Sequence, residues 1–166
     1  MLITITNPSQ PYLLTFASAK ISKTKAHGSW EAVCYMSPAS ESVPFGGVNM
    51  CANAGACEDI CLGKTSGMMT FSTSKNARIR RTLMFLRDRD KFLSKMKREA
   101  MAHVRRAKRA GMVPALRPNG SSDNRGLGKS LALWAAAEVP ELRVYDYTKI
   151  DPTREVIPEN YRLVYS

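Results

Sequence analysis

Residues 37–73 read as one long stretch of Gly, Ser, Pro and Asn, and three of the chain's four cysteines fall inside it. Loops this long within a compact domain are either functional or disordered, and clustered cysteines favour function. The spacing is Cys51-x5-Cys57-x3-Cys61. Three thiolates so close together can wrap one iron–sulfur cluster, each holding a different iron corner, provided the chain between them curls tightly. Ala52, Ala54, Gly55 and Ala56 are small enough to permit that curl and leave backbone N–H groups for the cluster sulfurs. Zinc is the rival metal, but it takes four ligands and usually paired Cys-x2–4-Cys knuckles, which this spacing fits poorly. The third reading makes the cysteines small buried hydrophobes. The expected cofactor is an iron–sulfur cluster of the [4Fe-4S] type. Cys34 stands in a strand-like run, where a cysteine is more often core than ligand. If it does not ligate, one iron is left for a side chain, water or a small molecule.

The other elements follow from hydrophobic period and punctuation. Leu2–Thr6 and Tyr12–Phe16 read as an N-terminal strand pair, Lys20–Gly28 as a polar connector and Trp30–Met36 as a buried strand. A helix is expected from about Ser74, its N-cap, to Arg87, with Ile79, Leu83 and Leu86 on one face. A second starts at Asp88 or Asp90, carries the stripe Phe92, Met96, Ala100, Val104, Ala107, and ends at Gly111. Val113–Arg117, Leu142–Tyr147 and Tyr161–Tyr165 read as strands and Leu127–Val139 as a third helix. Such alternation belongs to parallel α/β proteins, and 166 residues make one domain. No stretch reaches the roughly 18 apolar residues of a spanning helix, and the N-terminus lacks the basic start of a signal peptide. The expectation is a cytoplasmic protein with reduced thiols and no membrane partner.

The net charge of +11 sits in one place. Residues 75–110 hold fourteen Lys or Arg against three acids, Asp88, Asp90 and Glu99, while the rest of the chain is balanced. An ordinary solvated face mixes signs, so this segment reads as a footprint for a phosphate backbone. The expected contacts are Arg78, Arg81, Lys97, Arg98, Arg105, Arg106, Lys108 and Arg109, with DNA preferred over RNA as partner. Aromatic residues are sparse there, which favours sequence-tolerant binding over base stacking. His103 lies in the same helix and reads as a surface residue.

Asn119, Ser122 and Asp123 follow one expected strand, and Tyr145, Asp146, Tyr147 and Lys149 end the next. Groups at the carboxyl ends of strands in α/β folds often line one pocket. The competing reading makes the first set turn formers and the second a decorated strand end. Asp123-x4-Gly128-Lys129-Ser130 imitates a phosphate-binding loop but has Asp where that motif needs Gly, so it reads as a glycine-rich turn into a helix.

The run from Cys51 to about Phe92, with its three cysteines, Gly67 and Ala77-Arg78-Ile79-Arg80-Arg81-Thr82, resembles a family of bacteriophage proteins of unknown function. So do Arg117-Pro118-Asn119-Gly120-Ser121-Ser122-Asp123, Tyr145-Asp146-Tyr147-Thr148-Lys149 and the block from Asn160 to Ser166. The resemblance implies a radical-SAM-like fold: an incomplete, mostly parallel, partial TIM-type barrel with a cluster loop after its first barrel strand. Radical-SAM proteins space their cysteines Cys-x3-Cys-x2-Cys, which this chain does not, so the resemblance alone does not carry methionine-radical chemistry over. Similar phage proteins continue past the Asn160-Tyr161 block, which suggests a minimal version with unpaired edges and pairing with a second copy. The expectation is therefore a phage iron–sulfur protein that binds nucleic acid through basic helices, its cluster structural or redox-sensing. A redox or radical-SAM-like enzyme with an open iron, and a zinc-stabilised binding module, are the alternatives.

Overall fold

The computed structural model describes residues 11–51, 53–151 and 157–165. Their framework is a five-stranded sheet whose order follows the chain: β1 (Leu14–Thr15), β2 (Ser29–Cys34), β3 (Val113–Arg117), β4 (Arg143–Thr148) and β5 (Tyr161–Tyr165). β1 is antiparallel to β2, and β2 to β5 are parallel. Parallel neighbours need crossovers. α3 (Ser72–Arg87) and α4 (Arg89–Arg109) connect β2 to β3, and α5 (Arg125–Glu138) connects β3 to β4. This is the mixed α/β, mostly parallel architecture that the alternation implied.

Register places the core. Ala32, Leu116, Val144 and Tyr161 stand abreast across four strands. Phe92 and Met96 of α4 and Leu131 and Trp134 of α5 pack onto that row. Phe92, Met96, Leu116 and Leu131 are fully buried, and each such side chain contributes about 1.5–3 kcal/mol. The stripe on α4 is buried as its period required, and it contains one residue more. His103 is fully buried, not on the surface. It lies one helical step from Ala100 and Ala107, stacks on Phe16 with centroids 5.6 Å apart, and donates from Nε2 to the Trp30 carbonyl at 2.8 Å.

Three local expectations are corrected. The polar run Lys20–Gly28 is mostly helix α1 (Ala19–Ala26), capped by Ser18, which accepts from the Ile21 N–H at 3.1 Å. Ile21 is its only buried residue, so no hydrophobic period announces it. Ser74 does not cap α3, which begins two residues earlier after Phe71 with no side-chain cap. Tyr12–Phe16 shrinks to the two residues of β1, at whose start the Glu99 carboxylate takes the N–H groups of Leu13 and Leu14, each at 2.9 Å. Its expected partner, Leu2–Thr6, lies outside the described residues. Asp88 caps α4 through the Lys91 N–H at 2.9 Å. Gly111 follows the helix with φ 67°, a conformation that glycine adopts at little cost.

Candidate metal centre and ligand cavity

The loops after β2, β3 and β4 all leave the carboxyl ends of parallel strands, so they gather at one edge of the sheet. Together they enclose a cavity of about 390 Å³. Cys51, Cys57 and Cys61 line one side, and Arg117, Ser121, Ser122, Asp123, Tyr147, Thr148 and Lys149 line the sheet side. The three cysteines are half-buried free thiols.

Each sulfur is placed by local backbone. Ala39 sits at φ 43°, in the left-handed region that a non-glycine residue rarely takes. Its N–H donates to Cys51 Sγ at 3.3 Å. Burial pushes the Cys51 thiol above its ordinary value, and the N–H groups of Ala39 and Asp123 pull it back. The Asp123 N–H also donates to the Met50 carbonyl at 3.2 Å, joining the cysteine loop to the loop after β3. Cys57 lies in the short 3-10 turn Gly55–Glu58, and Cys61 stands just ahead of α2 (Leu62–Thr65). From Cys51 to Ala77 no described residue is buried. Ile60 and Leu62, on the cavity wall, are 76% and 72% exposed. This loop has no apolar core of its own.

Among the described residues no three His, Cys, Asp or Glu side chains converge on a single ion position. A tetrahedral zinc with Zn–S of about 2.3 Å needs its sulfurs about 3.8 Å apart. A cluster spreads its thiolates over separate irons, and three thiols around one cavity are a donor set that fits such a group. Cys34 is not among them. It ends β2 and is fully buried in the core, where burial pushes its thiol up to about 12.

Of the pocket residues expected from sequence, Ser122, Asp123 and Lys149 line the cavity. Asn119 and Asp146 lie beneath its wall instead. Asp146 is 2% exposed. It accepts from the Asn119 N–H and Nδ2, both at 2.8 Å, and from the Tyr161 hydroxyl at 2.9 Å. Asn119 Oδ1 accepts in turn from Ser122 Oγ and the Asn124 N–H, both at 3.0 Å. Burial pushes Asp146 up to about 6 against these donors. Above this bracket, Asp123 Oδ2 accepts from Thr148 Oγ1 at 3.1 Å and the Lys149 N–H at 2.8 Å. Tyr145 is not on the cavity wall. It bonds Glu31, and burial raises its hydroxyl. Sequence reasoning overlooked Arg117, Ser121 and Thr148 as wall residues. The available signal was a charged residue closing a parallel strand just before a turn, which is what Arg117 does.

The basic segment divides. Arg78 is 2% exposed, paired with Glu41 Oε1 at 2.5 Å and donating to the Met69 carbonyl at 2.9 Å. It therefore clamps both flanks of the cysteine loop and is not part of a surface for phosphates. Arg81 is half-buried and donates to the Tyr12 and Tyr35 carbonyls, both at 3.3 Å. Lys97 lies over Trp134, half-buried Arg106 over Phe16, and Lys108 pairs with Glu141 at 3.1 Å. Arg98, Arg105 and Arg109 are exposed on α4. No base from residues 75–110 lines the cavity.

A family model described as Gene product 88 matches residues 12–166. The chain belongs to the Gene product 88 family. This is a phage-type family of unknown function. The match takes in the cysteine loop, the clamp at Arg78 and every residue of the cavity wall, so the whole site lies within the Gene product 88 region. No curated protein and no solved structure is significantly similar to the chain. No helix among the described residues is long and apolar enough to cross a membrane.

Proposed function

We propose that this Gene product 88 protein carries a [4Fe-4S] cluster on Cys51, Cys57 and Cys61, set in the wall of a cavity that takes a small-molecule ligand. The observation that carries the reading is that all three cysteines line one cavity together with strand-end polar residues. The coreless loop supports it, because binding free energy from a metal group would supply the cohesion that apolar burial does not. With Cys34 held in the core, three protein thiolates leave one iron open. When bound, such a cluster supplies a redox or Lewis-acid centre to whatever the cavity holds. The chain's own residues frame that centre: Arg78 fixes the loop flanks, and Thr148 with the Lys149 N–H holds the Asp123 carboxylate at the wall. This arrangement favours a ligand-handling role, enzymatic or sensory, over a purely structural cluster. Parallel strands β2 to β5, with the cysteine loop after the first of them, also support an open partial barrel of radical-SAM-like type. The host cytoplasm, a reducing compartment, suits such a protein.

Anaerobic purification with iron and sulfide analysis and EPR tests the reading. Wild type and Cys34→Ala should contain iron and sulfide, and Ser replacement at Cys51, Cys57 or Cys61 should abolish both. A colourless protein with stoichiometric zinc would overturn the cluster assignment and leave the zinc-stabilised module. Incubating reduced protein with S-adenosylmethionine separates radical chemistry, seen as cleavage, from other uses of an open iron.

A second reading, nucleic-acid binding, rests on a separate observation. Arg98, Arg105 and Arg109 are exposed along α4, where phosphate contacts would release counterions. DNA affinity that ignored both added salt and charge reversal at these positions would remove it.

A further inference from the structure

We propose that the wall facing the cysteines is an oxyanion subsite, built by Arg117 and Lys149, for the phosphate or carboxylate of a small-molecule ligand. The proposal deepens the cavity reading above and rests on it only in that both share one space. Arg117 closes β3 and Lys149 follows β4, and both line the cavity. The Arg117 guanidinium lies over the Tyr147 ring, 4.6 Å from its centroid, an attraction that holds the cation at the wall. Its Nε is buried and has no hydrogen-bond partner among the described residues. Leaving such a donor unpaired is costly, and a ligand oxygen would relieve it.

The other groups nearby are already engaged, which narrows the chemistry. Ser121 Oγ donates to the Met36 carbonyl at 2.5 Å and Ser122 Oγ to Asn119 Oδ1 at 3.0 Å. Of the wall's two acids, Asp123 accepts from Thr148 and the Lys149 N–H, and Glu58 is held by Ser40 and Lys64. Glu31, the acid on the sheet face near Arg117, takes the Tyr145 hydroxyl. Neither Arg117 nor Lys149 makes an ion pair within the described residues. Two cationic residues therefore line the cavity without an ion-pair partner, while the Ser121, Ser122 and Thr148 hydroxyls beside them have spent their protons. A planar guanidinium with a nearby ammonium is the arrangement that selects phosphate or carboxylate over neutral ligands. The cavity separates this subsite from the sulfurs, so the rest of the ligand would extend toward the cysteines.

Calorimetric titration tests this, with side-chain NMR of the arginine Nε–H groups as a second readout. The probes are inorganic phosphate, acetate, adenosine monophosphate and adenosine, at constant ionic strength set with chloride. Phosphate binding stronger than acetate assigns a phosphoryl ligand, and the reverse assigns a carboxylate. Adenosine monophosphate should bind at least about ten-fold more tightly than adenosine, and the Arg117 Nε–H resonance should shift on binding. Lys149→Gln, an exposed change, and Arg117→Lys, which keeps the charge and loses the fork, should each weaken oxyanion binding by about ten-fold. Equal affinity for both adenosine compounds with an unmoved Arg117 resonance would overturn the proposal, as would unchanged oxyanion affinity in Lys149→Gln. Iron analysis of the same titrated wild type separates the two readings. Retained oxyanion binding in a wild type that lacks iron would sink the cluster alone, and an iron-loaded wild type with no oxyanion preference would sink the subsite alone.

Discussion

Asp146 and Arg78 are ionisable residues buried near the cavity for opposite reasons. Asp146 accepts from three donors, yet burial raises it to about 6 from 3.8. A carboxyl whose folded value is raised holds its proton more tightly when folded. Its contribution is full below the ordinary carboxylate range and disappears as pH rises through about 6. The size is about 3 kcal/mol at about 1.36 kcal/mol per unit. Buried His103, which burial pushes down, works in the opposite sense, so the comparison is between proteins. In urea unfolding between pH 4 and pH 7, wild type should lose more stability with rising pH than Asp146→Asn does. Arg78 is instead a paired cation, and it holds Glu41 ahead of the triplet and Met69 behind it. Replacing it with Met leaves Glu41 buried and alone, which should cost about 3–5 kcal/mol in chemical denaturation. If Arg78→Met left stability intact, the clamp would be wrong.

Helix α5 and helix α4 show how one element answers to its neighbours. Gly128 belongs to the run that imitates a phosphate-binding loop, but its absent side chain serves packing. A Cβ there would collide with the Tyr161 hydroxyl and come within 2.7 Å of Asp146 Oδ2. Gly128→Ala should therefore destabilise by about 1–3 kcal/mol despite its better helix propensity, measurable as a lowered thermal midpoint. In α4, buried positions recur at helical spacing and exposed bases fill the gaps. Reversing charge at Arg98, Arg105 and Arg109 should leave the fold alone and, if DNA binds there, flatten the slope of log affinity against log salt by about one per lost phosphate contact. An unchanged slope would remove α4 from the interface.

Across the whole molecule, the packed sheet and helices are separable from the cysteine loop. Every buried hydrophobe among the described residues lies outside residues 51–77. The triple Cys51, Cys57, Cys61→Ser variant should thus keep its circular dichroism and a cooperative melt while becoming more open to proteolysis between residues 53 and 71. Global unfolding of that variant would show that the loop is needed for the fold.

What the chain declares by itself is periodic or compositional. The stripe on α4, the parallel strands, the cysteine spacing and Cys34 as a core thiol were all legible, because burial imprints a period and clustered thiols are rare. Helix α1 left no such imprint, with one buried residue in eight. Charge counts also could not say that Arg78 is swallowed by Glu41, since residues 37 apart along the chain meet only once the loop folds back. The cavity is likewise a tertiary product. Parallel register brings the ends of β3 and β4 beside the cysteine loop, and only then do Arg117, Tyr147 and Lys149 face the three sulfurs across one space.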